Sequence, residues 1–205
     1  MSSNSLSASS SLKLAGQVAL VTGGSRGLGA AIAQRLAADG AAVAITYSNS
    51  AARAEETVRA IEAAGGRAIA ILADNADADA VRAAVNQTVA TLGRLDILVN
   101  NAGVLAIAPI TDFKLEDFDR LISVNVRAVF VASQAAAAHL PNGGRIINIG
   151  SVNADSMPFA GGSVYALTKG AIASFTRGLA RDLGPRGITV NNVQPGPVDT
   201  ELNPA

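Results

Sequence analysis

An open, doubly wound α/β sheet of parallel strands is predicted by three features of this sequence. Short runs rich in Val, Ile, Leu and Ala recur along the 205 residues, hydrophobic almost throughout, as strands covered on both faces must be. Between them lie stretches whose apolar residues return at helical spacing. A glycine-rich turn separates the first such strand from the first helix, which is the order of elements that receives an anion on free backbone N–H groups.

Taken in order, the strands fall at Val18–Val21, 42–45, 68–72, 97–99, 146–149 and 188–193. Helical runs include residues 30–38, the face Val81, Val85, Val89 and Leu92, and the face Ile172, Phe175, Leu179 and Leu183. Alternation of this kind predicts repeated βαβ units, joined by right-handed crossovers that place helices on both sides of the sheet. Ligands in such sheets bind beyond the carboxyl ends of the strands. Residues 13–205 are expected to form one domain. Residues 1–12 form a Ser-rich tail, expected to be disordered, with neither the basic start nor the apolar core of a signal peptide.

Composition narrows the function. Sixteen Lys and Arg balance sixteen Asp and Glu, and aromatic residues make up 3% of the chain. A general nucleic-acid binder would need a basic footprint and stacking side chains, and neither is present. With no cysteine and one histidine, disulfides, thiolate chemistry and cysteine-based zinc sites are excluded. Redox chemistry would therefore need a bound cofactor. His139 lies near a helix end, where a histidine interacts with the last carbonyls and the helix dipole. No apolar run is long enough to span a membrane, so a cytoplasmic protein is expected.

The turn after the first strand reads Thr22-Gly23-Gly24-Ser25-Arg26-Gly27-Leu28-Gly29. Its glycines permit a tight turn and close backbone approach to a pyrophosphate. It lacks the Gly-Lys-Ser/Thr ending of a nucleoside triphosphatase loop. The same residues match Gly-x-Ser-x-Gly, the nucleophile elbow of a hydrolase, with Ser25 as nucleophile and His139 as the necessary base. That rival leaves Gly29 without a purpose. After the second strand, Thr46-Tyr47-Ser48-Asn49-Ser50 carries no acid before Glu55. A carboxylate there would bind the ribose 2′-hydroxyl of NAD. Without one, a 2′-phosphate is not repelled, and Arg26 can offer it charge-assisted hydrogen bonds; NADP(H) is favoured over NAD(H).

Tyr165 and Lys169 lie four residues apart on one predicted helix face. A cation beside the phenol favours its phenolate, which makes the pair an acid/base candidate despite an ordinary tyrosine pKa of about 10.

These residues, with Asp74 after the third strand, Asn100-Asn101-Ala102-Gly103 after the fourth, Asn125 in a later helix, Ser151 after the fifth strand and Pro195-Gly196 after the sixth, resemble the short-chain dehydrogenase/reductase family in its 3-oxoacyl-reductase-like form. The resemblance runs from about residue 14 onward. It implies a Rossmann-type fold and carbonyl/alcohol interconversion by hydride transfer. Ser151 would bind the substrate carbonyl, Tyr165 would act as general acid/base, Lys169 would lower the tyrosine pKa and hold the nicotinamide ribose, and Asn125 would anchor a proton-relay water. Gly23, Ser25, Arg26, Gly27, Leu28, Gly29, Tyr47 and Ser48 would hold the phosphates and ribose. Asp74 would meet the adenine, Asn101, Ala102 and Gly103 the adenosine side, and Pro195, Gly196, Val198 and Thr200 the nicotinamide carboxamide.

Taken singly, Asp74 and Thr200 read equally as turn or cap residues, and Asn101 as a satisfier of loop backbone. Asn75 stands where the family favours an apolar residue. Members of the family extend a few tens of residues past the position of Ala205, through a substrate lid and a last strand, so either the sequence is shortened or another chain covers the hydrophobic edge left at 188–193. Asn153, Met157, Pro158 and Phe159 are expected around the substrate pocket. Self-association to a homodimer or homotetramer is implied by resemblance. The alternative function is a non-catalytic nucleotide-binding regulator on the same fold.

Overall fold

The computed structural model describes residues 12–200. Its strands are β1 (Val18–Val21), β2 (Ala42–Tyr47), β3 (Arg67–Leu72), β4 (Ile97–Asn100), β5 (Arg145–Ile149) and β6 (Thr189–Val193). Its helices are α1 (Gly27–Ala38), α2 (Ala51–Ala63), α3 (Ala78–Leu92), α4 (Leu115–Ile122), α5 (Ala128–Ala137) and α6 (Ser163–Leu183), with a π-helical turn, Ser123–Arg127, joining α4 to α5. The strands form one sheet ordered β3-β2-β1-β4-β5-β6, and every neighbouring pair is parallel. Strand order therefore reverses between β1 and β4, the crevice where a doubly wound sheet receives its ligand. This is the Rossmann-type sheet expected from the alternating runs.

Each predicted strand is present, β1 with the expected bounds and the others with an end shifted by one or two residues. β2 continues to Tyr47 because Thr46 and Tyr47 pair with Ile71 and Leu72 of β3. α1 begins at Gly27, earlier than the predicted 30, because the last glycines of the turn already belong to the helix. The expected tail lies, apart from Leu12, outside the described residues.

Alternation along the buried strands divides the core in two. Val18 and Leu20 of β1 face α3, α5 and the end of α6. Ala19 and Val21 face α1 and α2. The alanines Ala33 and Ala37 of α1 and Ala54 of α2 are buried against the sheet, small enough to let these helices approach it closely. β6 is an edge strand whose Thr189, Asn191 and Val193 are exposed, in keeping with the edge anticipated at 188–193.

At the carboxyl end of the sheet the apolar rows give way to a polar one. Asn100, Asn148 and Asn192 stand in register across β4, β5 and β6. Asn100 donates to Asn148 Oδ1 at 2.8 Å and to Ser133 of α5 at 3.2 Å. Asn148 donates to Thr176 of α6 at 2.8 Å. His139 departs from expectation: its Nε2 lies 3.1 Å from Asn86 Oδ1 of α3. The side-by-side packing of α3 and α5 offers the imidazole a lateral partner in place of the last carbonyls of α5.

The opposite end of β1 is held by a charge. Buried Asp96, just before β4, accepts the Val18 N–H at 2.8 Å and is gripped by Arg94 through Nε at 2.8 Å and Nη2 at 2.7 Å. Asp96→Ala leaves a buried N–H without its partner, and urea unfolding should show a loss of about 2 kcal/mol.

Candidate active site

Everything after a strand's carboxyl end converges on the β1/β4 crevice. The turn after β1 is tied down by its neighbours: Gly23 N–H donates to Thr46 Oγ1 at 3.0 Å and Gly24 N–H to the Thr46 carbonyl at 3.0 Å. Thr22 Oγ1 accepts from the N–H groups of Asn101 and Ala102 at 3.0 and 3.1 Å. Asn101 Nδ2 returns the contact by donating to the carbonyls of Thr22 and Gly23 at 2.9 and 3.1 Å. A Cβ on Gly29 would lie 2.3 Å from the Gly23 carbonyl oxygen and 2.5 Å from Asn101 Nδ2. Only glycine lets α1 dock this closely under the turn.

The first turn of α1 carries no acidic residue, and no side chain caps it; Arg26 stands at the N-cap with an exposed side chain. α3 provides the contrast, since Asp77 caps it by accepting from the N–H groups of Asp79 and Ala80. The free N–H groups of the α1 terminus, set in the glycine turn, are able to receive an anion. Beside it, a cleft of about 470 Å³ is lined by Ser25, Arg26, Arg53 and Thr57, among others. Thr57 Oγ1 reaches the Ser25 carbonyl at 3.5 Å and so holds α2 against the turn. At the end of β2, Tyr47 is half-buried and Ser48 exposed. Beyond β3, Asp74 Oδ1 accepts the Ala76 N–H at 2.9 Å, which is the turn role weighed for it.

The chemical end is built on α6. Tyr165 and Lys169 share one of its faces, Lys169 Nζ lying 5.7 Å from the centroid of the Tyr165 ring. Lys169 is buried and donates to the Ile149 carbonyl at 2.9 Å. Ser151, also buried, accepts the Asn153 N–H at 3.1 Å. Its hydroxyl stands beside Tyr165, where it favours the ionised phenol.

The expected depression of the tyrosine pKa is not found. Burial pushes the Tyr165 phenol above its ordinary value of 10, and the Ser151 hydrogen bond opposes this only in part. The lysine, over the ring and tied to Ile149, contributes nothing comparable, and its own burial lowers its pKa from 10.5 to about 8. The Asn125 side chain is fully engaged within the protein. In the π-helical turn, its Oδ1 accepts the Val104 N–H at 2.9 Å, while Nδ2 donates to the Val104 carbonyl at 2.9 Å and to Thr168 at 3.2 Å. Both amide hydrogens are committed, so this side chain braces the loop after β4 against α6. A Cβ on Gly103 would lie 3.5 Å from Asn125 Oδ1 and 3.8 Å from Lys169 Nζ, which puts these three residues around one point.

The loops after β5 and β6 meet where Val152 N–H donates to the Pro195 carbonyl at 3.1 Å. Gly196, Val198 and Thr200 follow in the same connection, with Gly196 and Val198 exposed. The hydrolase pairing fails on topology. Ser25 follows the carboxyl end of β1, whereas His139, between α5 and β5, lies at the amino end of this parallel sheet. Sequence reading passed over Thr22, Thr46, Thr168 and Arg53. The threonines at two strand ends and the arginine soon after β2 were the available signals. Among the described residues no group of three or more His, Cys, Asp or Glu could hold a metal, and no helix is long and apolar enough to cross a membrane.

The short chain dehydrogenase family model matches residues 17–205. A short chain dehydrogenase from Burkholderia cenocepacia, solved in complex with NADP, is 61% identical and superposes with a TM-score of 0.93, over 94% of this chain and 79% of that one. The cyclic-di-GMP-binding biofilm dispersal mediator protein of Escherichia coli is 48% identical over 93% of this chain and 76% of its own length. Elsinochrome reductase 1 of Elsinoe fawcettii is 43% identical over 97% of this chain and 74% of its own. The chain belongs to the short-chain dehydrogenase family, and with it to the oxidoreductases.

Because the lowered pKa of Lys169 means that the folded state resists a charge the unfolded chain accepts, the penalty is complete below pH about 8, shrinks as pH rises and vanishes above 10.5. Stability should therefore rise with pH across that window. Lys169→Met should remove most of this slope, so that the stability difference between variant and parent moves by up to roughly 3 kcal/mol between pH 7.5 and 10.5 in urea titrations.

Proposed function

We propose that this oxidoreductase reduces a ketone to a secondary alcohol with NADP(H), Tyr165 giving the proton. The observation that carries this reading is the half-buried Tyr165, which shares a face of α6 with Lys169, whose Nζ lies 5.7 Å from its ring centroid, and stands beside Ser151. A phenol is protonated at neutral pH, so Tyr165 has a proton to give.

The residues fit a nicotinamide dinucleotide phosphate. The uncapped α1 terminus suits a pyrophosphate, held by the backbone of Gly23, Ser25, Gly27, Leu28 and Gly29. Arg26 and Ser48, with Tyr47 beside them, suit the 2′-phosphate, and no acid at the end of β2 repels it. Asp74 would take the adenine through Oδ2, its Oδ1 being engaged by Ala76. Asn101, Ala102 and Gly103 would back the adenosine side, Tyr165 and Lys169 the nicotinamide ribose, and Pro195, Gly196, Val198 and Thr200 the carboxamide. The NADP complex of the Burkholderia relative supports this assignment.

When bound, NADPH supplies the hydride that reaches the carbonyl carbon. Ser151 donates its hydroxyl proton as a hydrogen bond to the carbonyl oxygen and holds it beside the phenol. Tyr165 transfers its proton to that oxygen as negative charge develops there, completing the alcohol. Lys169, close to the ring face, stabilises the resulting phenolate until it is reprotonated. Asn125 keeps the loop carrying Gly103 in place against α6. In the alcohol direction Tyr165 is the base. A cytoplasmic homo-oligomer completes the reading; exposed Phe130, packed edge-on against Phe175 with centroids 6.2 Å apart, and exposed Leu167 offer an apolar surface for self-association.

A second reading, nucleotide binding without turnover, is favoured by the name of the Escherichia coli relative. Tyr165→Phe separates the two. The first reading requires kcat to fall about 10²- to 10⁴-fold with NADPH affinity within a few fold of the parent, followed by nicotinamide fluorescence. Absence of turnover on a ketone panel by the parent supports the second. Arg26→Ala should weaken NADPH binding about tenfold or more while leaving NADH binding nearly unchanged.

A further inference from the structure

The loops that flank Ser151 and Tyr165 carry their own statement about the substrate. Residues 104–111 contain no charged side chain, and residues 152–162 contain one, Asp155. What they present is apolar. Leu105, Ile107 and Phe159 are 45%, 46% and 49% exposed, and Ile110 is 72% exposed. Such a concentration of uncovered apolar side chains beside a reactive group is a binding surface in search of an apolar occupant.

The two loops form one wall. Ala108 N–H donates to the Gly161 carbonyl at 3.2 Å. Ile107 Cγ2 lies over Gly161, 3.1 Å from where a Cβ would stand, and Met157 and Phe159 cover Gly162 at 2.5 and 3.2 Å from the corresponding point. Gly162 is the residue from which α6 starts, three before Tyr165. The wall is thus anchored to the helix that carries the proton donor. Its one charge is negative: Asp155 Oδ2 accepts from Gln194 Nε2 at 2.6 Å.

We infer that the substrate is an uncharged ketone with an apolar body beside the carbonyl, and that ketones bearing a carboxylate or phosphate next to that body are rejected. An anionic group against these apolar side chains would lose water without gaining a cation from either loop. The inference rests on the reading of Ser151 and Tyr165 as the reducing site.

A matched pair tests it: 4′-methylacetophenone against 4-acetylbenzoate, which share ring and ketone and differ in a methyl or a carboxylate. Affinities for the chain with NADP⁺ present are read by saturation-transfer NMR, and reduction by NADPH consumption. The methyl ketone should bind at least tenfold more tightly, and Ile107→Lys or Phe159→Lys should narrow that ratio at least fivefold. Equal or tighter binding of the carboxylate, a ratio unmoved in both variants, or binding of neither ketone overturns the inference. Selective binding of the methyl ketone without NADPH consumption sinks the reductase reading alone. Reduction of both ketones with equal efficiency leaves that reading intact and overturns the inference.

Discussion

The knot between Thr22 and Asn101 is the contact on which the rest of the crevice depends. One hydroxyl accepts two backbone N–H groups from the β4 loop, and one amide nitrogen answers two carbonyls of the β1 turn. It fastens together the two loops that a reversed strand order would otherwise leave splayed apart. Gly23 is thereby placed above Gly29, α1 is drawn in beneath the turn, and the uncapped helix terminus is aimed at the crevice. The polar side chains here spend their bonding capacity on the scaffold, and backbone N–H groups are what remain for a ligand.

At the other end of the crevice, desolvation outweighs the cation. A lysine four residues beyond a tyrosine should, by charge alone, ease ionisation of the phenol. Lys169 is buried and Tyr165 half-buried, and loss of water disfavours the charged form of each: phenolate becomes harder to make and ammonium harder to keep. Near neutral pH the phenol is therefore neutral, while the ammonium, with its pKa at about 8, keeps its charge. The Ser151 hydroxyl beside the phenol and the Ile149 carbonyl on the ammonium are the dipoles already in place.

How much of this was legible depended on whether a residue acts through spacing or through a partner. The sheet was readable because Val18–Val21 and its counterparts are buried on both faces, which leaves a hydrophobic run that no other element of that length produces. The glycine turn and the Tyr165–Lys169 pair were readable for the same local reason. The state of Tyr165 was not, since burial is set by chain segments distant in sequence. Nor was the side-chain role of Asn125, whose three hydrogen bonds go to Val104 and Thr168, 21 and 43 residues away. His139 likewise found Asn86, 53 residues distant, where local reasoning offered only the end of its own helix.

The row Asn100, Asn148, Asn192 carries a consequence for how this sequence can vary. Each amide's partner is another member of the row or a hydroxyl on α5 or α6, except that Asn192 turns to Gln194 and its own buried oxygen has no partner among the described residues. Replacing one asparagine by leucine strands its neighbour's donor or acceptor in a place water does not reach. Replacing linked members together removes donor and acceptor at once. Substitution costs within the row should therefore fall short of their sum, and the sequence can leave this arrangement more easily by coordinated exchange than one residue at a time.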